Sequence, residues 1–156
     1  MVCLGNICRS PLARWVVRDL AARRGMTARV SVDSCGTGAW HVGGPADPRS
    51  VQIALRYGHD TAHVARQFDC ADDADRFHLL LAMDSSNART MIERGAPREK
   101  VRLFRSFDAT AVEADDLEVP DPYYGGDEGF QRVYDMITRA GEGLLDAVDR
   151  GEIGRR

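Results

Sequence analysis

Leu12, Trp15, Val16 and Leu20 recur at helical spacing among charged neighbours and predict a helix from Ser10 to Arg24. Pro11 suits its first turn, where a missing N–H costs nothing, and Gly25 ends it. The period then changes: Ala28 to Ser34 alternates as a strand, and Cys35 to Pro48 reads as a glycine-rich loop. Asp47-Pro48 caps a short helix through Tyr57, stopped by Gly58. Phe77 to Met83 is an apolar run between charged segments, the signature of a buried parallel strand. Asp84 or Ser85 then caps a helix from about Ser86 to Glu93, closed by Gly95 and Pro97. Val101 to Phe104 reads as a strand and Ala109 to Pro120 as an acidic loop. Asp127 to Val148 carries Phe130, Val133, Tyr134, Ile137, Leu144, Leu145 and Val148 on one stripe, a final helix.

Strands alternating with helices predict an α/β fold. The expectation is one doubly wound domain over residues 1–156, with a four-stranded parallel sheet and helices on both faces. Ligands of such sheets bind beyond the strand C-termini. Only Met1 and Val2 precede Cys3, so the first strand is expected to be a stub, or the chain to start upstream.

Composition narrows the function. A formal net charge of −3 gives no support to nucleic-acid binding. No apolar run approaches the roughly 18 residues of a membrane span, and no secretory leader pattern is present. Cys3, Cys8, Cys35 and Cys70 form no C-x-x-C pair and no zinc-ligand spacing. A reactive thiol needs reducing conditions, so a cytoplasmic location is expected.

The densest chemistry lies in Cys3-Leu4-Gly5-Asn6-Ile7-Cys8-Arg9-Ser10-Pro11. Backbone N–H groups ringing a helix N-terminus form a nest for a tetrahedral oxyanion, and Arg9 adds a planar donor fork. Gly5 frees the backbone for the turn. The positive field favours the ionised form of a thiol at its centre, which reads Cys3 as a nucleophile. Asn6 tolerates a left-handed conformation inside such a loop, and Ser10 suits a helix N-cap. Cleaving a phosphate ester also requires a proton donor for the leaving group. Asp121, stiffened by Pro120 and Pro122 and followed by Tyr123 and Tyr124, is one candidate among many carboxyls.

Cys3 to Pro11 resembles the signature loop of the low-molecular-weight protein tyrosine phosphatases, and Asp121-Pro122-Tyr123-Tyr124-Gly125-Gly126 resembles their acid loop. Asp33 to His41 and Ala82 to Asn87 also fit the family pattern, in the right order over nearly the whole chain. The chief departure is the first strand, which in the family precedes the nucleophile by several residues.

The resemblance implies a phosphotyrosine phosphatase working through a phosphocysteine intermediate, with Cys3 as nucleophile, Arg9 as phosphate ligand and Asp121 as general acid. Leu4, Gly5, Asn6, Ile7, Cys8 and Ser10 would complete the phosphate-binding loop. Ser10 would hydrogen-bond the thiolate and ease its departure, while Ser34 and His63 would brace Asn6. Trp40, Tyr123 and Tyr124 would wall a deep slot that stacks a phenyl ring and leaves a short phosphoserine out of reach. His41, Cys35 and Cys70 are read as structural.

No cofactor and no metal are implied, because the loop supplies the positive field. The implied partners are tyrosine-phosphorylated proteins and a partner tyrosine kinase, with no nucleic acid and no membrane, and the chain is expected to act as a monomer. An extended chain would hold Cys3 and Cys8 roughly 17 Å apart, too far for a disulfide. Curled around a phosphate the two come together, and the resemblance implies that Cys8 is either a resolving thiol or a small buried filler. Two enzymes with related loops are rivals. A phosphoarginine phosphatase would carry threonine at Ile7 and lack the paired tyrosines; an arsenate reductase would need two further close cysteines, and Cys70 stands alone.

Overall fold

The computed structural model describes residues 1–154. Four parallel strands form one sheet in the order β2-β1-β3-β4: β1 Val2–Cys3, β2 Cys35–Gly36, β3 Leu80–Ala82 and β4 Val101–Leu103. The helices are α1 Arg9–Arg23, α2 Pro48–Arg56, α3 Cys70–Arg76, α4 Ser85–Glu93, α5 Ala109–Glu113 and α6 Asp127–Asp149. Side chains alternate across the pleat and build two cores. Cys3, Leu81 and Met83 face Leu12, Trp15, Val16, Val133 and Ile137 of α1 and α6. Val2, Leu80 and Ala82 face the other way, toward Ala74 and Met91 of α3 and α4. At Gly143 α6 meets the Phe104–Phe107 turn so closely that a Cβ would lie 1.8 Å from the Phe107 carbonyl oxygen, which forbids any larger residue there.

Most predicted elements appear within a residue or two of their expected bounds. The strand expected over Ala28 to Ser34 does not form, and pairing with β1 is confined to Cys35–Gly36. Its alternation is real, since Val30 and Val32 pack on the core. The ladder with β1 reaches no further than Met1, whose amine donates to the Asp33 carbonyl and whose carbonyl accepts from Cys35 N–H, and Val2 pairs with both Cys35 and Ala82. Segments 30–33 and 78–81 instead flank a cavity of about 710 Å³, at the sheet end opposite the Cys3 loop. The acidic loop contains a short helix, α5, capped by the Asp108 side chain accepting from Thr110 N–H. Helix α3 was not expected. It is too polar to show an apolar stripe, yet Asp69 caps it and Asp72, Asp73 and Arg76 complement its dipole.

The chain leaves β1 toward β2 through α1 and leaves β3 toward β4 through α4, so the connections diverge between β1 and β3. Such a divergence opens a crevice at the strand C-termini. The loop after Cys3 and the turn after Ala82 border it.

Candidate active site

Residues 3–9 curl from the end of β1 into the first turn of α1, and three anchors fix the curl from the β2 side. Thr37 N–H donates to the Cys3 carbonyl (2.8 Å), Gly38 N–H to Leu4 (2.8 Å) and Asp47 N–H to Ile7 (2.8 Å). Close approach requires Gly36, where a Cβ would fall 2.8 Å from the Leu4 oxygen and 2.9 Å from the Asn6 nitrogen. Asn6 is left-handed at φ 55° and fully buried. Its Nδ2 donates to Ser10 Oγ (2.8 Å) and Ser34 Oγ (3.1 Å), and its Oδ1 accepts from Arg66 N–H (2.9 Å). His63 Nε2 lies 2.7 Å from the Asn6 carbonyl. A carbonyl only accepts, so Nε2 carries the proton, and Nδ1 has no partner among the described residues. Burial, with Arg14 nearby, holds the His63 pKa below its ordinary value, against the opposing pull of the Asn6 bond.

Ser10 does not serve as the helix cap. Helix α1 starts at Arg9 with Cys8 in the cap position and no side-chain cap bond. The first-turn N–H groups are thus left for an anion. Ser10 Oγ turns inward, 3.0 Å from Cys3 Sγ and 3.2 Å from the Cys35 carbonyl. It accepts from Asn6 and has one proton to give to either neighbour.

Arg9 is 3% exposed. Nη1 donates to Asp84 Oδ2 (2.6 Å) and the Val119 carbonyl (3.0 Å), and Nη2 to Asp121 Oδ2 (3.3 Å). Burial alone would lower the Arg9 pKa, but Cys3, Asp84 and Asp121 outweigh it and raise it. Asp121 lies in an exposed loop, with its other oxygen taking Tyr123 N–H at 3.1 Å. Cys8 is buried with its thiol against Asp47, and burial pushes its pKa up to about 12. At the rim, Leu4 is 45% exposed, Trp40 75%, Tyr123 41% and Tyr124 95%. Ile7 is half-buried. Trp40 folds over Gly38, and Tyr124 touches Tyr123 edge-on at 5.0 Å.

Sequence reasoning assigned Asp84 only the α4 cap, and it does cap, through Oδ1 and Asn87 N–H (2.7 Å). Its second oxygen holds Arg9, and an aspartate directly after a buried strand, beside the crevice, is the signal for that. Arg66 gave no signal, and Gly36 figured only as part of the Asp33–His41 stretch without a role, because each acts on the loop through backbone contacts that only the fold brings about.

The low molecular weight phosphotyrosine protein phosphatase family model matches residues 1–153. The chain belongs to that family. A low molecular weight protein-tyrosine-phosphatase of Streptomyces coelicolor is 45% identical over 158 aligned positions, covering 99% of this chain and 94% of the relative. Among solved structures, a protein tyrosine phosphatase from Entamoeba histolytica with Hepes in its active site superposes with TM-score 0.89 at 34% identity, covering 97% and 96% of the two chains. A Drosophila arginine phosphatase superposes with TM-score 0.84 at 29% identity, covering 94% of each. As a member of this phosphatase family, the chain carries the fold of both solved relatives.

Proposed function

We propose that this family member hydrolyses phosphotyrosine in proteins, and small aryl phosphates, through a phosphocysteine intermediate. The observation that carries the reading is the convergence on one curled loop of Cys3, the buried Arg9 and, bonded to Arg9, Asp121. Cys3 Sγ attacks phosphorus in line while the loop N–H groups and Arg9 hold the equatorial oxygens. Asp121 protonates the departing phenolate. It then takes a proton from water, which breaks the S–P bond and releases phosphate. The Ser10 proton turns to Cys3 whenever the sulfur is anionic, which stabilises the thiolate before attack and as it departs. In the phosphocysteine it rests on the Cys35 carbonyl. The loop supplies the positive field itself, so no cofactor enters. A thiol nucleophile suits a reducing, cytoplasmic setting.

The arginine phosphatase likeness makes phosphoarginine the second reading. Ile7 and the Tyr123-Tyr124 pair favour an aromatic substrate, because they offer apolar and aromatic surface where a phosphoarginine enzyme would carry threonine and lack the paired tyrosines. Purified protein should hydrolyse p-nitrophenyl phosphate and a phosphotyrosine peptide, and Cys3→Ser should abolish turnover while phosphate still binds. Near wild-type turnover by Cys3→Ser, or a preference for phosphoarginine, overturns the reading. Cys3→Ser or Asp121→Ala can then serve to trap the phosphoprotein substrate.

A further inference from the structure

Residues 120–125 carry the acid and both rim tyrosines but, apart from the buried Pro122, have little of their own to hold them. Tyr123, Tyr124 and Gly125 are exposed, and Gly125 N–H bonds only within the loop, to Pro122. Among the described residues, two side chains make hydrogen bonds into this stretch from outside: Arg9, at Asp121, and Arg49, at the Gly125 carbonyl (Nη1, 3.2 Å).

Arg49 is well placed to hold a loop because it is itself held. Its Nε and Nη2 grip Asp47 Oδ1 and Oδ2 at 3.0 and 2.9 Å, a bidentate fork. Asp47 is 8% exposed and its backbone N–H is bonded to Ile7 of the phosphate-binding loop. The guanidinium also lies over two aromatic faces, Phe130 at 4.6 Å and Tyr123 at 5.6 Å. Tyr123 N–H in turn binds Asp121 Oδ1. A continuous chain of contacts thus runs from Ile7 through Asp47, Arg49 and Tyr123 to the Asp121 carboxyl.

We propose that Arg49 is a positioning residue for the proton-transfer step, a strut between the phosphate-binding loop and the acid loop. It fixes the Tyr123 backbone, and through it the second oxygen of Asp121, while Arg9 fixes the first. The proposal rests on the reading of Asp121 as general acid. Arg49 reaches the nest only through Asp47, whose backbone bond to Ile7 does not need it, so its removal acts on the acid and leaves phosphate binding alone. Lysine keeps the charge but cannot bridge Asp47 and Gly125 together, since it lacks the fork.

The test is steady-state kinetics on aryl phosphates of graded leaving-group pKa, with inorganic phosphate as inhibitor. Arg49→Met should lose about 10–100-fold in kcat for the poorest leaving groups, the scale expected when a catalytic group is misplaced by about an ångström. The loss should shrink toward none for the best leaving groups, and phosphate inhibition should hold steady. Arg49→Lys should show the same leaving-group trend with smaller losses. Adding Arg49→Met to Asp121→Asn should cost almost nothing more, because the strut acts only through the carboxyl. Equal losses across the series, weakened phosphate inhibition or full additivity with Asp121→Asn would each overturn the strut. If Asp121→Asn itself shows no leaving-group trend, the assignment of the acid is what fails, and Arg49 falls with it.

Discussion

The two thiols of the Cys3–Ser10 loop sit in opposite settings. Cys3 faces the Ser10 hydroxyl, whereas Cys8 is buried against the Asp47 carboxylate with its pKa pushed up to about 12. Cys8 therefore stays a neutral thiol near pH 7 and does not compete as a nucleophile, so Cys8→Ala should still turn over substrate through Cys3. Under oxidation a second role is expected: peroxide should convert the Cys3 sulfur to a sulfenic acid, and Cys8, slowed by its raised pKa, should condense with it, releasing water and forming a disulfide that a thiol reductant reopens. After a peroxide pulse and reductant, wild type should recover its activity and Cys8→Ala should recover much less. Equal recovery would make Cys8 a packing residue only.

At the scale of elements, β2 acts on the site more than its two residues suggest. Gly36→Ala would push a Cβ against the backbone of Leu4 and Asn6, atoms that cannot swing aside, so the loop itself must distort. Gly38→Ala would meet the Trp40 ring first, at 1.9 Å, and a side chain can move. Gly36→Ala should thus weaken phosphate inhibition and turnover together, while Gly38→Ala should raise KM for aryl phosphates and spare phosphate inhibition. The same inhibition on both would mean that Trp40 supports the loop. The contrast also explains what was legible in the sequence. The loop from Cys3 to Ser10 was readable because its residues are adjacent, and α1 and α6 because their apolar stripes are long. Helix α3 escaped because its signals are polar caps without periodicity. The strand assigned to Ala28–Ser34 failed because alternation reports two unlike faces, and only a neighbouring strand makes a ladder. The hold of Asp84 on Arg9 and of Arg49 on Gly125 was hidden because those partners lie far along the chain.

At the scale of the whole molecule, buried or partly buried ion pairs tie the elements together, and they set how the fold responds to acid. Asp33 binds Arg66, whose guanidinium also holds Asp73, and Asp108 binds Arg139 of α6. Burial alone would raise both Asp33 and Asp108. For Asp33, the Ser34 N–H, Arg66 and Arg14 outweigh it; for Asp108, Thr110 and Arg139 do, so both carboxyls stay below their ordinary range. Asp47 is lowered chiefly by Arg49, against burial. A carboxyl lowered on folding contributes stability that is complete above its unfolded value of about 3.9 and is lost as pH falls through the folded value. His63 obeys the same sign at higher pH. Its pKa is lowered from 6.5, chiefly by burial, so the unfolded chain takes up the proton first and stability starts to fall below about pH 6.5. Acid should therefore act in two stages, a first loss that sets in below about pH 6.5 from His63 and a second below about pH 4 from the carboxyls. His63→Gln keeps a donor near Nε2 for the Asn6 carbonyl and does not titrate. Melting temperatures across this range should show the first stage in wild type and not in His63→Gln, with the second stage in both. A first stage of the same size in the variant would place its origin in another group.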